Sequence, residues 1–221
     1  RDELYSRGSA LPPQLIDKTG LSYLAPIDTD AGGSWIASND KGLSVCLLNY
    51  YPHPRPAAPP SPRSRGLLVL DAAGAHSSAE LERLLNEQDF SRYRPFTLLS
   101  FAADRPVRSY RWDGSSLTHT PDTQPPITSS GFDSARVEEA RRATYRELAG
   151  DEPDTATLER FHRSHSPQRG PYSICVHRED GGTRAYDHVR VDAQRVRFEH
   201  LDGSPCDESR ERTIRDLPLR R

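Results

Sequence analysis

Between Ser34 and Asn49, apolar and small polar residues line up on either side of Asn39-Asp40-Lys41-Gly42. This predicts two strands, Ser34-Trp35-Ile36-Ala37-Ser38 and Leu43-Ser44-Val45-Cys46-Leu47-Leu48, joined by a tight turn. Residues 51–62 are dense in proline, which excludes helix or central strand and predicts a surface loop or lid. Gly66-Leu67-Leu68-Val69-Leu70 reads as a short helix. A second helix starts at Ser77, where Ser77 and Glu80 have capping-box spacing and Leu81, Leu84 and Leu85 share a face. Residues 95–102 and 106–112 predict strands, with Asp113-Gly114 turning the chain back towards Leu117. Val137, Ala140, Thr144 and Leu148 recur at helical spacing behind Asp133 as expected cap and before Gly150 as stop. A further helix is expected over 155–165. Strands over 172–178, 183–191 and 196–201 close the chain, separated by turns at Glu179-Asp180-Gly181-Gly182 and Asp192-Ala193-Gln194. Hairpins, then helices, then hairpins predict an α+β domain of antiparallel sheets with helices on their outer faces.

Length and composition narrow this picture. A chain of 221 residues suits one core, so 1–221 is read as a single domain. Hydrophobic residues make up 34%, and 19 prolines accompany them, which favours a loop-rich fold. No run approaches the ~20 apolar residues that a bilayer requires, so no membrane span is expected. The net charge of −2 comes from 32 acidic residues against 30 basic ones, of which only Lys18 and Lys41 are lysine. Acidic residues are scattered among the arginines, which argues against nucleic acid as a partner. Cys46, Cys175 and Cys206 form no paired redox or metal motif, and an odd number argues against a disulfide framework; a reducing cytoplasm is the expected setting. The absence of methionine leads to the expectation that residues preceding Arg1, including a first strand, are missing.

Several residues carry candidate chemistry. Cys175 and His177 stand two apart and would share one face of a strand, as a nucleophile pair or metal ligands; with no third ligand evident, core packing is the favoured reading. His162 and His165 place two imidazoles on one helical face and read as exposed helix residues. Cys46 reads as core, Trp35 as a core anchor beneath the Gly32-Gly33 turn, and Cys206 as a near-surface thiol. No metal is assigned.

Arg1-Asp2-Glu3 with Arg7, then Asp30-x-Gly32-Gly33-x-Trp35, Asn39-x-x-Gly42-Leu43 and Leu48-Asn49-Tyr50, resembles the NRDE family, also called the transport-and-Golgi-organisation type. Pro171-Tyr172-Ser173-x-Cys175-x-His177-Arg178 and Gly203-x-Pro205-Cys206 are similar to bacterial members of that family. The resemblance implies a four-layer αββα sandwich like that of the N-terminal-nucleophile hydrolases. The hairpin is also similar to part of the choloylglycine hydrolase and penicillin V acylase group. There a terminal Cys attacks an amide or acyl carbon, and its own α-amine, titrating near ~8, serves as base. Carried onto this chain, the resemblance sets Arg1 and Asp2 beside the nucleophile, Asn49 as oxyanion donor through its backbone N–H, and Ser129 where those enzymes carry an Asn. A chain led by Arg1 lacks that Cys and is expected to be inactive.

The implied partner is a small acyl or amide ligand, with no cofactor. The alternative is a non-enzymatic haem or acyl-CoA/lipid binding and trafficking protein, with residues 51–62 closing over an apolar pocket and haem ligation from among His53, His76, Cys175 and His177. A structural or interaction domain with a degenerate site is the third reading, and Ser129 is the residue that favours it.

Overall fold

Seven strands run in unbroken chain order through one antiparallel sheet of the computed structural model, which describes residues 1–18, 20–103, 105–150 and 153–220. They are β2 (Ala10–Lys18), β3 (Leu21–Asp28), β4 (Ile36–Asn39), β5 (Ser44–Asn49), β6 (Phe96–Ala102), β7 (Arg105–Trp112) and β8 (Leu117–Thr120). Helices α1 (Arg65–Ala72) and α2 (Ser78–Glu87) lie between β5 and β6. The expected turn joins β4 to β5, and its Asn39 is fully buried with every side-chain group satisfied. Nδ2 donates to the carbonyls of Ala73 and Ala75 beyond α1, while Oδ1 accepts from the N–H groups of Lys41 and Leu43. One amide thereby fixes the turn and ties the helical layer to the sheet. Gly33 and Gly66 make a second tie: their backbones cross so closely that a Cβ on Gly33 would lie 2.4 Å from the carbonyl carbon of Gly66.

Strand alternation sorts the side chains into two cores. Tyr23, Ala25, Val45, Phe96 and Leu98 face α1 and α2, where Leu68, Val69, Leu81, Leu85 and Phe90 meet them. Leu24 faces the other way, onto a three-stranded antiparallel sheet of β10 (Ala185–Val191), β11 (Arg195–Asp202) and β12 (Arg212–Pro218), where it packs with Val196, Phe198 and Leu217. β11 and β12 lie over β2 and β3. Helices α3 (Ser134–Ala149) and α4 (Thr155–Arg163) pack on each other, and α4 covers the outer face of the smaller sheet. There Glu159 meets Arg212 at 2.7 Å and the His162 ring meets that of Tyr186. The result is an α+β sandwich of two antiparallel sheets with helices outside. No helix among the described residues is long and apolar enough to cross a membrane.

Several expectations are corrected. Residues 172–178 contain no strand, only an isolated bridge from His177 to Gly182. Gly181 and Gly182, expected in a turn, belong to β9 (Gly181–Thr183), which pairs with β1 (Asp2–Leu4). Asp133 precedes α3 without capping it; its carboxylate accepts instead from the Tyr172 hydroxyl. The last helix stops at Arg163, so His165 lies beyond it and shares no helical face with His162. The proline-rich residues 51–62 are free of helix and strand, as expected.

Candidate functional site

Strand β1 holds the first residues of the chain against β9 and the start of β10. The Arg1 carbonyl accepts from the N–H groups of Arg184 and Ala185, and the Arg1 ammonium donates to the Ala185 carbonyl at 2.7 Å. Gly181 permits this approach, since a Cβ there would lie 2.6 Å from the Glu3 carbonyl oxygen. The Arg1 side chain, only 10% exposed, turns inward. Its guanidinium bonds Asp28 at 2.7 Å and Glu3 at 3.2 Å and stacks 4.5 Å above the Trp35 ring. Trp35 is half-buried at the mouth between the sheets rather than a buried anchor: its Nε1 donates to Asp187 at 2.6 Å, and Asp187 holds Nδ1 of buried His200 at 2.7 Å. A polar chain thus runs from the amino terminus into the space between the sheets.

Asp2 points the other way and is 45% exposed. It accepts from the Thr183 hydroxyl at 2.7 Å, and that hydroxyl accepts from the Val176 N–H. The guanidinium of Arg141 lies 3.9 Å from the Asp2 carboxylate. Arg141 is a buried cation in the middle of α3. It donates to the Ser173 carbonyl, the Thr128 hydroxyl and the Ser129 carbonyl, and desolvation lowers its pKa against the opposing pull of Asp2. Ser129 therefore joins this network through its backbone, not its hydroxyl. Helical spacing had marked Val137, Ala140 and Thr144 as the inward stripe; Arg141 lies on that same face, and its charge hid it.

Asn49 ends β5, and its side chain donates to the Tyr51 hydroxyl at 3.1 Å rather than to Arg1 or Asp2. The Leu47 N–H bonds Trp35 in β4's direction and the Tyr50 N–H bonds Pro95 in β6's direction, so alternation directs the Asn49 N–H to the Trp35 side. Arg65, at the start of α1, donates to the Pro95 carbonyl and feels the charges of both Tyr51 and Glu3, while burial lowers its pKa. It links the Asn49 side of the site to the Arg1 side, and sequence spacing gave no sign of it.

A second cluster stands behind β9. Nε2 of His177 is 3.2 Å from Nε2 of His165, 3.4 Å from Sγ of Cys175 and 3.5 Å from Sγ of Cys206. Burial and the adjacent Cys206 push the Cys175 thiol up to about 12, and burial with nearby Arg169 lowers His165 and His177. Core packing was the expectation for Cys175 and His177 because no third partner was evident in sequence; the fold brings two. Cys206, expected near the surface, is half-buried here. An open cleft of about 670 Å³ borders the cluster, with Arg169, Arg184 and Arg210 on its walls. His162 belongs to neither the cluster nor the cleft; its ring meets Phe161 and Tyr186, and desolvation, with the Arg1 ammonium, lowers its pKa to about 4. Cys46 is half-buried, its thiol pushed up to about 12 by desolvation, and His53 and His76 are exposed.

Antiparallel sheets stacked face to face, with helices on their outer sides, define an α+β sandwich domain. The chain belongs to the Transport and Golgi organisation 2 (TANGO2) family, whose model matches residues 1–142. No curated protein matches the chain.

Proposed function

We propose that this domain is an acyl- or amide-processing scaffold of the N-terminal-nucleophile type, acting on a small ligand through a cysteine joined to Arg1. The observation that supports the reading is the pinning of the Arg1 main chain against Arg184 and Ala185, with its guanidinium held by Asp28 over the Trp35 ring. A residue joined to Arg1 emerges next to Ala185. Its thiol would lose a proton to its own α-amine and attack the acyl carbon as thiolate. The Asn49 N–H stabilises the oxyanion, the carbon–nitrogen bond breaks as the amine leaves with the proton, and water releases the acid from the thioester. Arg1, anchored by Asp28, supplies fixed positive charge that favours the thiolate. Asp2, held by Thr183 and Arg141, orients the ammonium.

The carrier alternative calls for an apolar pocket beneath residues 51–62. A cleft of about 670 Å³ lies at the Cys/His cluster and is lined largely by polar and charged residues, among them Asp202 and Asp207, which does not suit an apolar ligand there. The nucleophile reading is tested by joining Cys to Arg1, with Ser at that position as control, and mapping adducts from nitrophenyl acyl esters by peptide mass spectrometry. The expected result is acylation of the added Cys faster than of Cys206, and its loss in the Ser control. A folded Cys-led chain that modifies its terminal thiol no faster than Cys206 overturns the reading.

A further inference from the structure

We infer that His165, Cys175, His177 and Cys206 form a closed, structural zinc site. The four candidate donor atoms lie within 4.8 Å of one another and come from three separate parts of the chain. His165 follows α4, Cys175 and His177 belong to the irregular segment before β9, and Cys206 lies in the loop between β11 and β12. Tetrahedral zinc, with bonds of ~2.0–2.1 Å to nitrogen and ~2.3 Å to sulfur, sets its donors about 3.3–3.8 Å apart. The separations of 3.2, 3.4 and 3.5 Å around His177 match that spacing. Two thiolates and two imidazoles suit zinc over the hard cations, which take oxygen, and two thiolates balance its charge in a half-buried place.

The backbone around the cluster is held as a ligand frame needs to be. The Cys175 N–H donates to the Ser164 carbonyl, the Cys175 carbonyl accepts from the buried Ser173 hydroxyl, and the His177 N–H donates to the Gly170 carbonyl. Residues 164–180 contain no helix or strand, an unusually long irregular run to be packed inside a domain. A metal cross-link to Cys206 supplies what backbone ladders do not. The other histidine and carboxylate group, Glu159, His188 and Glu199, already holds a cation, because Arg212 bonds Glu159 at 2.7 Å and Glu199 at 3.1 Å. All four proposed ligands fall outside residues 1–142, so the site belongs to the part of the chain beyond the family match. Four protein donors leave no open position, which makes the role structural. The metal would brace β9, and through it the Thr183 to Asp2 bond, whether or not the amino terminus reacts. Coordination through Nε2 leaves a proton on Nδ1 of His177, so exposed Arg169, now 3.3 Å from that atom, swings away into the cleft.

The test uses the full chain purified under reductant and offered Zn²⁺ or Co²⁺. The expected results are one zinc per chain by elemental analysis, a cobalt spectrum with tetrahedral ligand-field bands and thiolate charge transfer, and zinc protection of Cys175 and Cys206 from alkylation. Cys206→Ser and His165→Gln, at half-buried positions that tolerate change, should each weaken binding by roughly 100-fold or more, beyond the ~10–100-fold typical of outer-shell changes. His162→Gln should bind like the parent. A folded parent chain that takes up no metal overturns the inference, as does wild-type affinity in Cys206→Ser or alkylation that zinc does not slow.

Discussion

The two helical layers of this domain are held by opposite means. Under α1 and α2 the contacts are apolar: Leu68, Val69, Leu81, Leu85 and Phe90 fill the space above Tyr23, Val45, Phe96 and Leu98. Among the described residues, α3 and α4 themselves contribute few buried apolar side chains, Val137, Ala149 and Phe161, the last edge-on to Tyr145. Polar groups do the rest: Arg141 on three carbonyl or hydroxyl oxygens, Arg212 between two glutamates, and the Cys/His cluster. A chain with 34% hydrophobic residues has enough apolar surface for one thick core, and the second layer substitutes directional bonds for burial. Loss of packing should therefore unfold the first layer, whereas loss of a single hydrogen-bonding group should loosen the second.

The largest break should come from Leu81→Ala, which opens a cavity in the fully buried core and should cost about 2–5 kcal/mol in chemical denaturation. Arg141→Met keeps the bulk but strands the Ser173 and Ser129 carbonyls and the Thr128 hydroxyl. About 1.5–3 kcal/mol is expected, with hydrogen exchange rising first around 170–178 while α1 and α2 stay protected; an equal rise in both layers would erase the contrast. Ser77→Ala removes the α2 cap that accepts from the Glu80 N–H and should cost about 1 kcal/mol by the same measurement.

The smallest effect is in pH. Desolvation holds the imidazoles of His165, His177 and His188 below the ordinary range, and that of His162 as well. In the unfolded chain they protonate as pH falls through ~6.5, before the folded chain does. Stability is thus full above ~6.5 and drains away as pH drops through the lower folded values, with solvent-open His162 adding least. Bound zinc acts in the same direction, since protons compete for its histidines. A thermal midpoint that does not fall between about pH 7 and pH 5 would contradict this assignment, and His188→Gln should flatten the fall.

Legibility in the sequence follows the same division. The first hairpin, both early helices and the 95–120 meander were readable because local turn chemistry and apolar period agree there. β3 was missed because residues 21–25 are buried on both faces, leaving no alternation to read. β2 was missed because Pro12-Pro13 looks like a breaker, although a register shift between Leu11 and Gln14 accommodates it. β12 escaped because exposed charged residues dominate its pattern. In the site, Arg1 and Asp2 stood out only through motif resemblance. Arg65 and Arg141 carry no signal, because a buried arginine looks like a surface one until its partners are known.

The sequence by itself determined the family, the α+β class and the turn built on Asn39, since each rests on residues adjacent in the chain or repeated at a fixed period. Only the tertiary structure decided that Arg141 is a hub, and that His165, Cys175, His177 and Cys206 converge. Those partners are up to 41 residues apart, and no local rule links them until β9, α4 and the loop after β11 are packed together.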